Sequence, residues 1–181
     1  LNPIYEVHSL GQRISSDLAE FASPRPSALP EQARAPLPLD AHDALLAHFD
    51  RRIMDEDLRL ATRSRFVSKH FADAVESAVK ALCECIRART GRTDDGDELM
   101  TNVFSLKNPL LRLNALKSKT DDSEQRGHMM LCQGVVAAWR NPRAHALLND
   151  EPQRALLMVE MIQDLMRGTK AATKTRKKKS P

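Results

Sequence analysis

The sequence predicts an all-α protein: a bundle of four or five helices behind an N-terminal helix and a proline-rich linker. Three observations carry this. Apolar residues recur at helical rather than alternating spacing along most of the chain. Helix-favouring Leu, Ala, Arg, Glu and Met are abundant, whereas 6 glycines and 4% aromatic residues are too few for a sandwich or barrel. Strand-like alternation and internal repeats are both missing. The 181 residues suffice for one domain with a core, and 41% hydrophobic with 29% charged residues is ordinary for a soluble globular chain.

The elements follow in order. Residues 4–22 carry Val7, Leu10, Ile14, Leu18 and Phe21 at near-helical spacing, which makes 1–22 an N-terminal helical segment. The stretch "SPRPSALPEQARAPLPLD" (23–40) holds five of the ten prolines and reads as an extended linker, because proline fixes φ and removes a donor. Asp40 is placed to cap a helix continuing through Leu45, Leu46, Phe49, Ile53 and Leu60. A strong helix at about 65–90 puts Phe71, Ala74, Val75, Ala78, Leu82 and Ile86 on one face and stops at Thr90-Gly91, a glycine C-cap.

"RTDDGDELMTNVFS" (92–105) reads as a turn and a short helix. Its acids do not follow the calcium-loop order, so they read as caps and dipole partners. Asn108-Pro109 punctuates the chain. A helix over 120–140 presents Met129, Cys132, Val136 and Trp139, and its Gly127 and Gly134 could admit a close neighbour. The last helix, 151–168, turns Ala155, Met158, Ile162 and Leu165 inward. Residues 41–168 thus form the helical domain, and 169–181 a disordered basic tail.

Charge and cysteine usage narrow the function classes. The final twelve residues hold six basic residues and no acids; without them the net charge of +4 becomes −2. The body is not a basic protein, and the tail is either a solubilising end or a salt-sensitive phosphate-binding arm. Cys83, Cys85 and Cys132 form no disulfide framework, which fits a reducing, cytoplasmic setting. His128 and Cys132 share a helical face but lack a second pair at ligand spacing, so no metal or cofactor is expected. No apolar run is long enough to span a membrane, and the N-terminus shows no signal-peptide pattern. A first residue of Leu rather than Met suits a fragment or a trimmed chain.

The stretch "AWRNPRAH" (138–145) asks for chemistry. Pro142 disfavours the α conformation at Asn141, which predicts a helix end there and a new helix from Pro142, with Asn141 as its N-cap. Such a break would let Arg140 and His145 point the same way, beside a helix N-terminus that favours anions. Spacing alone does not select them. With 18 arginines and 6 histidines, roughly two Arg-x(4–6)-His matches arise by chance, and Arg63…His70 and Arg65…His70 fit too. Those two sit on what reads as an unbroken helix.

The piece "RNPRAH" resembles the Arg-Asn-x-x-x-His motif of the HEPN superfamily, small helical bundles that include many metal-independent ribonucleases. Within it, "HFADAVESAVKAL" (70–82), "DGDELMTNVFS" (95–105) and "EQRGHMMLCQGVVAAWRNPRAH" (124–145) are similar to the Ymh-like group, over roughly residues 65–168. The resemblance implies a HEPN-like bundle and an endoribonuclease, an effector in bacterial defence or a toxin-like system. It assigns catalysis to Arg140, Asn141 and His145, and implies a homodimer with the site at its interface. Cleavage by 2′-hydroxyl attack would leave a 2′,3′-cyclic phosphate. RNA would meet a basic patch of Arg143, Arg126, Lys117 and Lys119, and residues 1–60 could join a regulatory partner. The rival readings are a non-catalytic dimerisation or interaction module of the same fold and, more weakly, a DNA-binding regulator using the tail.

Overall fold

The computed structural model describes residues 40–175. The helix expected over 4–22, residues 23–39 of the linker and residues 176–181 lie outside them. The described chain is all-α: α1 (Ala41–Arg52), α2 (Glu56–Val67), α3 (Phe71–Thr90), α4 (Gly96–Phe104), α5 (Lys119–Val135), a π-helical turn (Val136–Arg140), α6 (Asn141–His145) and α7 (Pro152–Ala171). Two two-residue strands, β1 (Leu111–Arg112) and β2 (Thr173–Lys174), pair antiparallel with Leu111 opposite Lys174.

α3 forms the middle of the bundle, with α2 and α7 packed on it. Its buried face is the expected one, from Phe71 and Ala74 to Leu82 and Ile86, and Gly91 ends it at φ +71°. That left-handed conformation costs glycine nothing.

The sequence reading needs correction in front of α3. The helix capped by Asp40 does not run to Leu60: it stops at Arg52, and Ile53 turns extended while remaining fully buried. Asp55 then caps α2 by accepting from the Leu58 N–H. Gln163 of α7 joins the ends, its Oε1 accepting from the Met54 and Asp55 N–H groups and its amide donating to the Arg52 carbonyl. Leu58 takes the core position, and Leu60 is 87% exposed.

Nor is 65–90 one helix, because Ser68, Lys69 and His70 interrupt it with Lys69 at φ +61°. In a continuous helix Phe66 and Phe71 would lie about 140° apart around the axis. The reversal brings both inside, their rings meeting edge-on with centroids 5.4 Å apart and Phe49 against Phe66 at 4.7 Å.

Two further expectations change. A Cβ at Gly127 or Gly134 would meet nothing within 4 Å; the close approach is at Gly168 of α7, where one would lie 3.1 Å from the His128 ring. The tail does not begin at 169. Lys170 is inside α7 and bonds Asp55 and Asp57, and Thr175 donates from its N–H to Leu110 and from its hydroxyl to Pro109. Arg89 closes this end by donating to the carbonyls of Lys170 and Ala172.

His128 is half-buried and Cys132 is fully buried in the core. The His128 ring packs edge-on against Phe104 and its Nε2 lies 3.3 Å from the Thr169 hydroxyl. Burial pushes the imidazole below the ordinary histidine range, against the opposing pull of Asp164 and Glu124. The unfolded chain therefore takes a proton here more readily than the folded one. This contribution is intact above about pH 6.5 and is lost as the pH falls below that value. Thermal unfolding should show a lower Tm at about pH 5.5 than at about pH 7.5, with a smaller drop in His128→Gln. Equal drops would clear His128 as the cause.

Candidate functional site

The helix containing the RNPRAH stretch does not break. Asn141 is right-handed helical at φ −60°, ψ −46°, and its N–H donates to the Val136 carbonyl five residues back. The chain passes Pro142 by widening into a π turn. A proline ring clashes with the carbonyl four residues earlier in a regular helix, and the expanded turn relieves that clash. Pro142 then lies in the first turn of α6, where its missing N–H costs nothing.

This changes what the stretch can do. Helical backbone runs from Arg140 to His145, so their Cβ directions differ by about 140° rather than sharing a face. Arg140 is half-buried, its side chain 23% exposed, and its Nη2 lies 2.8 Å from Asp95 Oδ2. His145, the last residue of α6, is exposed, and no polar partner for its ring is found among the described residues. Asn141 is exposed as well and, with helical dihedrals, is not the N-cap that the sequence suggests.

The four residues expected to meet RNA do not form one patch. Arg143 is a structural residue: its Nε and Nη2 each donate to Asp150 at 2.7 Å, and its Nη1 donates to the Trp139 carbonyl at 2.8 Å. Both side chains of the pair are only 6% exposed. Lys117, Lys119 and Arg126 are exposed, but Lys117 and Lys119 lie at the far end of α5. At 1.5 Å per residue that is about 30 Å from Arg140 within one chain, and Arg126 is about 20 Å away. Trp139 packs against the core, as its helical spacing suggests.

Two residues that the sequence does not single out complete the surroundings of Arg140. Asp95 precedes α4 at its N-cap position, yet its carboxylate makes no capping bond. It accepts instead from Arg87 Nη2 of α3 at 2.6 Å and pairs with Arg140. Burial pushes the Asp95 carboxyl upward, but the Gly96 N–H and the guanidiniums of Arg140 and Arg87 outweigh it and hold the group below the usual carboxylate range. Nearby, burial and then the Asp95 charge push the Cys83 thiol up to about 11.

Elsewhere, a cleft of about 450 Å³ on α2 is lined by Glu56, Arg59, Leu60, Arg63 and Ser64, and the motif contributes nothing to it. Among the described residues no three His, Cys, Asp or Glu side chains are grouped as a metal site. None of the described helices is long and apolar enough to cross a membrane.

Comparison with known proteins gives one family. A family model described as "Protein of unknown function (Hypoth_ymh)" matches residues 52–168, beginning in the last turn of α1 rather than near residue 65. Nothing among curated proteins or solved structures matches the chain.

Proposed function

The chain belongs to the Ymh family, and from that premise we propose that it is a metal-independent endoribonuclease of the HEPN type, acting as a homodimer in a defence or toxin-like system. The observation that carries this reading is the unequal setting of the two motif residues. Arg140 is held half-buried in an ion pair, as a group that must meet a phosphate in a fixed geometry needs to be. His145 stands exposed and without a polar partner among the described residues, free to exchange a proton with a substrate.

In this chemistry the neutral His145 imidazole takes the proton from a ribose 2′-hydroxyl. The 2′-oxygen attacks the adjacent phosphorus, and the 5′-oxygen leaves, taking a proton from solvent. Arg140 stabilises the charge that builds on the non-bridging oxygens. The products are a 2′,3′-cyclic phosphate and a 5′-hydroxyl. Because the two side chains diverge on one helix, this reading requires a second copy facing the first, so that Arg140 of one chain and His145 of the other line one cleft.

A second reading, a non-catalytic interaction module, has its own support. Leu147 is fully exposed, and Leu148, Leu157 and Met161 are more than 40% exposed. The Arg140 guanidinium, moreover, already has a carboxylate partner. The experiment that separates the two is incubation of the purified chain with total RNA and tRNA in excess EDTA, with the fragment ends mapped. Cutting that leaves cyclic-phosphate ends is the expected result. A folded, self-associating chain that cuts nothing, and whose association is lost in Leu157→Asp, would transfer the case to the interaction module.

A further inference from the structure

We propose that Asp95, anchored by Arg87, is a positioning residue that fixes the guanidinium of Arg140 with part of its donor fork left open to a substrate phosphate. The fixing is argued from the ion pair seen in this structure; only the identity of the anion rests on the ribonuclease reading.

The first point is what Asp95 does not do. An aspartate at an N-cap normally gives its carboxylate to the N–H groups of its own helix. Asp55 does so before α2 by bonding the Leu58 N–H, whereas Asp95 makes no such capping bond further into α4 and feels only the adjacent Gly96 N–H. Its two oxygens are divided instead: Oδ1 to Arg87 of α3, Oδ2 to Arg140 of the π turn. One carboxylate therefore ties together three parts of the fold.

Arg87 is a fixture rather than a ligand. Its Nη1 donates to Glu84 at 2.8 Å, its Nη2 to Asp95 and its Nε to the Asp94 carbonyl at 3.0 Å, so each guanidinium nitrogen is engaged. Arg140 differs. Its Nη2 meets Asp95, while Nε and Nη1 have no polar partner among the described residues, and the side chain retains 23% of its exposure. An arginine offers five N–H donors in a rigid plane, so holding one edge aims the rest.

Charge decides between aiming and blocking. If Asp95 served Arg140 alone, the pair would be neutral and an incoming phosphate would have to displace a carboxylate. Asp95 is instead shared with Arg87, which also carries Glu84, so the four charges sum to zero and Asp95 is not committed to Arg140 alone. Glu84, the remaining acid on Arg87, is 72% exposed and well screened by water. Nε and Nη1 of Arg140 are thus left to an anion while Nη2 stays in its ion pair with Asp95.

The test combines a spectroscopic readout with a kinetic one. In ¹⁵N spectra of the full chain, with Arg140 assigned through Arg140→Lys, the Arg140 guanidinium should show hindered rotation. In Asp95→Asn that rotation should become free, and Asp95→Glu should restore part of the hindrance. RNA cleavage by Asp95→Asn should fall roughly 10- to 100-fold in kcat with little change in KM, because the fork is misaimed. Adding Asp95→Asn to Arg140→Ala should lower the rate no further. An Arg140 guanidinium that stays ordered in Asp95→Asn would overturn the proposal, and so would faster cleavage, which would make Asp95 a block. Absence of cleavage in the wild-type chain would remove the ribonuclease reading, while the spectra would still decide whether Asp95 holds Arg140.

Discussion

Arg143→Ala should destabilise the domain by about 3–5 kcal/mol, the cost of leaving one member of a buried ion pair without its partner. Arg143 and Asp150 make a two-pronged bond with both distances at 2.7 Å, and both side chains are 6% exposed. Removing the arginine leaves the Asp150 carboxylate out of water with no counter-charge. It also removes a donor from the Trp139 carbonyl at the π turn, where helical bonding is already irregular. Arg143→Lys should recover only part of the loss, because an ammonium cannot replace a planar fork. Urea unfolding of the three proteins measures this. A residue that merely touched RNA would give the opposite pattern: an unchanged midpoint, weaker RNA affinity and a shallower dependence on salt. The pair spans α6 and the loop before α7, so its loss should also disturb His145, which must be judged by other variants.

Much of the architecture was legible because each helix writes a repeating pattern. The buried face of α3, its glycine stop and the inward residues of α7 follow from apolar periodicity and terminal chemistry. The errors fall where the period is not the deciding factor. Ile53 and Leu60 fit one helical stripe, but the Asp55 cap and Gln163 of a distant helix favour a break, and Leu58 replaces Leu60 inside. The turn at Ser68–His70 carries no glycine or proline to announce it; the gain from burying both Phe66 and Phe71 sets it. At Asn141-Pro142 the local rule was sound, yet the backbone had a third option between helix and break, the π turn.

The site was half legible for the same reason. Arg140, Asn141 and His145 lie within six residues, so the motif shows in the sequence. Asp95 and Arg87 belong to other elements, and nothing local marks them as partners of Arg140. The acids at 94–98 look like helix caps, and only the fold shows that Asp95 does not act as one. Arg143 misled for a related reason: a basic residue inside a basic motif looks like a phosphate contact until its buried carboxylate is found seven residues on.

In the proposed ribonuclease chemistry, His145→Ala should lower cleavage by about 10²–10⁴-fold, the range expected when a general base is lost. The imidazole is exposed and makes no bond among the described residues, so its removal should leave Tm unchanged within the error of the measurement. That makes it the cleanest variant of the motif, because lost activity cannot be attributed to a damaged fold. Arg140→Ala should be at least as damaging to the rate, by roughly 10²–10³-fold, because an electrostatic partner of the transition state disappears. It should also cost some stability, since Asp95 keeps only Arg87. Asn141→Ala should be mild, because Asn141 is exposed and its backbone already sits in the helix without help from its side chain. Rate and Tm measured together on these three proteins separate the roles. A large loss for His145→Ala at constant Tm marks chemistry, and an unchanged rate would show that the motif is here a helix connection whose Arg140 serves the fold.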